Sequence, residues 1–303
     1  MNLVAVPSPP TELLTLPDGR SLAYIEYGDP RGHPTLYFHG LPGSRLEAAL
    51  AATRAAEVGV RLIAIDRPGI GGSDPKPRRA LLDWPGDVLH LAYHLGLARF
   101  TVAGISGGGP YALACAHSIP QHLDAVGIVS GVAPFDRDHL FERMPWLNKV
   151  AVRAAQLAPS LVRHGLKSAV ILKLCPHFAI GLLARTLDTP DHEVLNRTEV
   201  KDAIARSLVE SLRQGAQGMA DDLLILARPW GFRLRDVSIN VNVWHGGRDS
   251  IVPASHGRDL RRRLGHSRFA FFPEEGHLSL VINHATSIFA NLSNARLGTP
   301  STF

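Results

Sequence analysis

The chain has 303 residues, 45% of them apolar and 19% charged, with a formal net charge of +5. This is the balance of a soluble globular protein with one elaborated domain or two. It excludes a membrane-spanning chain, because no stretch reaches the roughly 20 uncharged residues of a bilayer span. It also argues against a nucleic-acid partner, because no Arg/Lys stripe interleaves with aromatics. Residues 1–10 lack the basic and apolar regions of a secretory signal, so the expectation is a disordered lead-in and a cytoplasmic protein. Two cysteines cannot form a disulfide framework, and Cys115 and Cys175 read as small buried hydrophobes. The 15 histidines make no paired ligand pattern, so neither a metal nor another cofactor is expected. Homo-oligomerisation is left open.

Residues 13–16 and 21–27 flank Pro17-Asp18-Gly19-Arg20 and read as a β-hairpin turning at Asp-Gly. A third strand at 35–38 runs into His39-Gly40-Leu41-Pro42-Gly43-Ser44-Arg45. A helix to about residue 58, a strand at 61–65, the loop 66–74 and a helix over 82–97 follow. Residues 100–105 and 125–130 read as buried strands. Residues 134–235 are helical in pattern and contain no convincing strand. Alternation resumes with a strand at 239–244, a helix near 255–264, a strand at 267–272, the loop Pro273-Glu274-Glu275-Gly276-His277 and a helix to about 292. Strands alternating with helices of ten or more residues imply right-handed crossovers and a mostly parallel sheet covered on both faces. The expected organisation is a core of residues 1–133 and 236–303, with 134–235 as a helical cap on the carboxyl edge of the sheet.

Chemistry concentrates at Gly104-Ile105-Ser106-Gly107-Gly108, between a strand and an alanine-rich helix. A serine on so tight a turn is held in a strained conformation, and small residues two before and two after let strand and helix approach. The helix beyond aims unpaired N–H groups at the same spot. A serine hydroxyl needs a base, and the base needs a partner that fixes its tautomer and charge. Asp249 and His277 suit these roles, since each lies in a glycine-containing loop just after a late strand. Asp136 is the rival acid; His245, His256 and His266 are the rival bases. Gly107 and Leu41 are the expected oxyanion donors, because Pro42 has no N–H. His39 is expected to order its loop, and Asp66-Arg67-Pro68-Gly69, without a P-loop Lys-Ser/Thr pair, to be structural.

His39-Gly40-x-Pro42-Gly43, Asp66-Arg67-Pro68-Gly69-x-Gly71-x-Ser73, Gly104-x-Ser106-x-Gly108, Gly246-x-x-Asp249 and Gly276-His277, in this order, resemble the α/β-hydrolase superfamily. The resemblance implies an eight-stranded, mostly parallel sheet flanked by helices, with a helical cap after the sixth strand. It also implies the roles of nucleophile, acid and base for Ser106, Asp249 and His277. The cap matches no motif. Branches of the superfamily with an aspartate at the elbow are disfavoured by Ser106. Hydrolysis of a small-molecule carboxylic ester is favoured, since it needs only the triad and oxyanion hole. Lactone, thioester, aminopeptidase, carbon–carbon bond and perhydrolase chemistry stay open, as does a binding protein with little turnover.

Between residues 143 and 187 there are seven basic side chains and no Asp or Glu, interleaved with apolar residues. One reading is a lid whose apolar face covers the pocket and whose cations are solvated. The other is a one-signed field that attracts anionic substrates or an anionic lipid surface.

Overall fold

The computed structural model describes residues 9–294, and all but the last two residues of the expected lead-in lie outside them. Eight strands form one sheet: β1 (Glu12–Thr15), β2 (Ser21–Gly28), β3 (His33–Phe38), β4 (Val60–Ile65), β5 (Phe100–Ile105), β6 (Leu123–Val129), β7 (Val241–Gly246) and β8 (Ser267–Phe272), in the order β1-β2-β4-β3-β5-β6-β7-β8. From β3 and β4 to β8 every pairing is parallel. Only β2 runs antiparallel to its neighbours β1 and β4, so the sheet is mostly parallel and strictly mixed. The β1–β2 turn closes through Gly19, whose φ of +84° suits glycine.

The central strands are apolar on both faces because both are covered. Leu36, Phe38, Val102, Val126 and Val243 pack to one side with α2 (Trp84–His94), α3 (Gly109–Ser118) and α10 (Ser255–Arg263). Tyr37, Ala103, Ala125 and Trp244 pack to the other with α1 (Ala52–Glu57) and α11 (His277–Asn294). This is the period-two alternation hidden inside a continuous apolar run. On the first side Trp84 meets Phe38 and Tyr111 edge-on, at 5.3 and 5.9 Å between centroids, which fixes α2 and α3 against β3.

Several boundaries differ from the sequence reading. The helix expected to run to 58 is a 3₁₀ turn, Arg45–Ala51, followed by the short α1. Strand β7 begins at Val241 rather than 239, because Val241 is the first residue of that segment with a partner on either side, Val126 and Ser267. The helix expected after residue 277 begins at His277 itself. Cys115 is buried, but Cys175 is exposed, because its segment lies on the surface of the helical stretch rather than in a core.

Between β6 and β7 the described residues hold no strand. They form α4 (Trp146–Leu157), α5 (Pro159–Gly165), α6 (Pro176–Ala184), α7 (Thr189–Leu195), α8 (Thr198–Ser211) and α9 (Gln217–Ala227). Prolines in the first turns of α5, α6 and α7 explain the breaks: each fits a helix start, where its missing N–H has no partner to lose, and none fits the continuation of the helix before. Since β3, β5, β7 and β8 are parallel, the segments that follow them emerge at one edge of the sheet. Those segments carry Leu41, Ser106, Asp249 and His277.

Candidate active site

Ser106 sits at the corner between β5 and a single 3₁₀ turn, Ser106–Gly108, that leads into α3. Its φ is +53°, a conformation costly for a residue with a side chain. The flanking glycines are explained by contact: a Cβ on Gly104 would run into the carbonyl of Gly108, and one on Gly108 into the carbonyl oxygen of Phe38. Ser106 is 8% exposed, and no hydrogen bond to another described residue engages its Oγ.

Asp249 follows β7. Its Oδ1 accepts the N–H groups of Ile251 (3.0 Å) and Val252 (2.7 Å), which leaves Oδ2 to accept from His277 Nδ1 at 2.8 Å. Burial pushes the Asp249 carboxyl up, but the adjacent His277, that hydrogen bond and His245 outweigh it and hold its pKa below the usual aspartate range. Burial disfavours the charged form of His277, yet the charge and hydrogen bond of Asp249, followed by the charges of Asp191 and Glu47, lift its pKa above the ordinary histidine value. The pair is therefore built to hold a proton on the imidazole at Nδ1.

The rivals have other partners or none in the site. Asp136 is bound by both oxygens to Arg263, each contact 2.8 Å, and remains half exposed. His245 lies 3.5 Å from Asp249 but uses Nε2–H on the Val252 carbonyl at 2.8 Å. His256 donates Nε2–H to the Leu140 carbonyl and accepts the Ala133 N–H at Nδ1, both at 3.0 Å. His266 is exposed.

His39 donates Nδ1–H to the Gly40 carbonyl at 2.8 Å, and burial keeps its pKa well below the ordinary value, so it is a neutral brace for its loop. Arg67 is fully buried and donates to the carbonyls of His39 (2.5 Å) and Gly40 (2.9 Å), which makes the Asp66–Gly69 turn structural. The N–H of Gly40 is already committed to Glu47 at 3.2 Å. Leu41 N makes no such bond among the described residues and lies 3.4 Å from where a Cβ on Gly107 would stand. Leu41 and Gly107 are thus close neighbours beside Ser106.

Three carboxylates near this edge escaped the sequence reading. Asp191, from α7, accepts the N–H groups of His277, Leu278 and Ser279 at 2.8, 2.8 and 2.9 Å. Glu47 accepts from the Tyr37 hydroxyl at 2.6 Å, and burial lifts its pKa above the usual glutamate range. A Cβ on Gly40 would stand 3.4 Å from its Oε2 and 3.6 Å from Ser106 Cβ, so Gly40 lies between this carboxyl and the candidate nucleophile. Asp222, from α9, is buried between Arg67 (2.7 Å), Arg79 and the Tyr111 hydroxyl (2.7 Å). Burial works against its charge, but the two guanidiniums overcome that and hold its pKa far below the usual range. Glu47 could have been noticed as an acid close behind His39-Gly40-x-Pro42-Gly43; Asp191 and Asp222 carry no local signal.

The α/β-hydrolase fold family model matches residues 34–283, and the chain belongs to that family. Among curated relatives, it is 27% identical over 86% of its length to the dihydrolipoyllysine-residue acetyltransferase component of the acetoin cleaving system of Pseudomonas putida. It is 28% identical over 52% of its length to a proline iminopeptidase of Xylella fastidiosa. The chain spans 62% of the first of these proteins and 52% of the second. Solved structures of similar fold include an esterase from Exiguobacterium antarcticum, with TM-score 0.67, 19% identity and coverage of 94% of this chain and 98% of that one. An enol-lactonase from Burkholderia xenovorans has TM-score 0.66 at 19% identity, with coverage of 95% and 100%. At these identities the structural likeness is one of fold.

Proposed function

We propose that this α/β hydrolase cleaves carboxylic esters of small or medium apolar substrates through an acyl-enzyme on Ser106. The observation that carries the reading is the 2.8 Å bond from His277 Nδ1–H to Asp249, at the same sheet edge as a serine held at φ +53°. In this mechanism His277 Nε2 takes the proton of Ser106 Oγ as the oxygen attacks the ester carbonyl carbon. The resulting oxyanion accepts hydrogen bonds from the N–H groups of Leu41 and Gly107. When the carbon–oxygen bond breaks, the alcohol leaves with the proton from His277. Water, deprotonated by the same nitrogen, then releases the acid. The absence of a Ser106–His277 hydrogen bond is compatible with this scheme, since such bonds often tighten only with substrate bound. Residues 134–235 would act as the cap that shapes the acyl pocket.

Glu47 favours a second reading. A buried acid one residue's width from the candidate nucleophile would suit the free amino group of an aminoacyl substrate, in keeping with the iminopeptidases among the relatives. Para-nitrophenyl esters graded in acyl length, run beside the para-nitroanilide of proline, separate the two. Turnover of esters with no amide cleavage supports the first reading. Amide cleavage lost in Glu47→Gln, with ester turnover retained, supports the second. A fluorophosphonate that fails to label Ser106 in the folded protein overturns both.

A further inference from the structure

The apolar surface of this protein is concentrated in one stretch. Among the described residues, the exposed large apolar side chains outside Trp146 to Leu183 are only Leu13, Tyr93 and Phe271. Within it, Trp146, Leu157, Leu161, Leu174 and Phe178 are 70–83% exposed. Spacing aligns some of them: Trp146, Val150 and Leu157 share one face of α4, and Phe178 and Leu182 stand one turn apart on α6, with Leu174 just before it. Isolated surface leucines need no explanation, but a run of this density marks an interaction face.

The charges on the same stretch are of one sign. Three of the seven cations are spent within the protein: Arg153 pairs with Asp138 (3.0 Å), Arg163 with Asp221 (2.9 Å), and Lys173 donates to the Leu212 carbonyl (2.9 Å). Arg143, Lys149, Lys167 and Arg185 have no ion-pair partner among the described residues, and no acid lies between residues 143 and 187 to supply one. In the chain Lys149 directly precedes Val150, and Lys167 falls between Leu161 and Val170.

We propose that the face formed by α4, α5, α6 and the intervening 3₁₀ turn (Leu166–Lys173) docks on an anionic lipid bilayer. Its apolar side chains would enter the boundary between headgroups and acyl chains, and its free cations would meet the headgroup charges. The face lies on the membrane rather than crossing it. No single helix among the described residues is long and apolar enough to span; Pro159–Lys173 and α6 reach that length and apolarity only together, across a bend of 107° that a straight span does not allow. A second copy of the chain fits less well, because each copy would bring the same unopposed cations to the contact. The inference is independent of the ester-hydrolase reading.

The test is flotation of the full chain with vesicles of phosphatidylcholine alone and of three parts phosphatidylcholine to one part phosphatidylglycerol, at low and high salt. Binding to the anionic vesicles that weakens with salt is expected. Lys149→Glu with Lys167→Glu should reduce it on the order of tenfold or more, and Leu161→Ser with Phe178→Ser should reduce it at both salt concentrations. Unchanged melting temperatures show that the variants fold. Binding that ignores lipid charge and salt, or that charge reversal leaves intact, overturns the proposal. So does failure to bind either vesicle, including the case in which sedimentation shows a dimer that the same substitutions dissociate.

Discussion

The carboxylate of Asp191 caps the helix whose first residue is His277, although the two lie 86 residues apart. The inserted helices therefore hold the backbone of the candidate base, and their charge adds to that of Asp249 in favouring the imidazolium. Asp191→Asn removes the charge and one acceptor. A weaker pull on the imidazolium lowers the pKa of His277, so the acidic limb of the pH profile of kcat/KM should move to lower pH. Asp191 is a smaller cause than Asp249 of the raised His277 value, so the limb should move by a fraction of a pH unit. A merely structural cap would lower the melting temperature and leave the limb in place.

Ser106→Ala should abolish ester turnover while leaving the melting temperature close to that of the parent, since the hydroxyl makes no hydrogen bond to another described residue. Members of a catalytic unit fail together, so losses on the order of 10⁴ are expected, and Ser106→Ala with His277→Ala should be scarcely worse than either alone. Initial rates on a short para-nitrophenyl ester, with active-site titration to exclude contaminating hydrolase, decide the point.

Asp249→Asn should cost roughly 10⁴ in rate, because an amide at this position supports the wrong tautomer of His277. Asp136→Asn should leave turnover near normal, since Asp136 is spent on Arg263. Comparing kcat for the two variants locates the acid, and the reverse ranking would move it to the loop after β6.

Burial, with the charge of His245 next, pushes the pKa of His256 down to about 4. In the unfolded chain it returns to about 6.5. The unfolded state then binds more protons between these values, so the stability due to neutral His256 is complete above about pH 6.5 and drains away as pH falls toward 4. Between pH 7 and pH 5 the linked loss is about 2 kcal/mol. Urea unfolding should show that His256→Gln, which keeps a donor and an acceptor without titrating, loses that much less over the same interval.

What the sequence disclosed depended on how local the physics was. The elbow was legible because its rule is steric and confined to five residues: Gly104 and Gly108 must be small where Ser106 turns. The eight strands and the long helical stretch were legible from periodicity, and Asp249 and His277 could be nominated because each follows a strand. Strand ends were misjudged where pairing decides them, as at Val241. Asp191 and Asp222 were invisible for a different reason. Their partners, the N–H groups that begin α11 and the guanidiniums of Arg67 and Arg79, are brought to them only by tertiary contact, and nothing beside either aspartate in the chain anticipates it.

The burial of Asp222 between Arg67 and Arg79 bears on how such a chain could be re-engineered or diversified. Exchanging the whole helical stretch for one without an acid at this place would leave two guanidiniums facing each other in the interior, a change that ordinarily costs about 3–5 kcal/mol when one partner of a buried pair is lost. Helix α9 is thus tied to the sheet by buried charge, whereas α4 to α6 are held by apolar packing of Val152, Ala155, Val162, Ile180 and Ala184, and Arg153 and Arg163 pair only in half-exposed surface contacts. Grafts confined to residues 143–187 that keep these buried apolar positions should be tolerated where grafts of 134–235 without an acid at position 222 are not, which makes the short segment the natural unit of exchange.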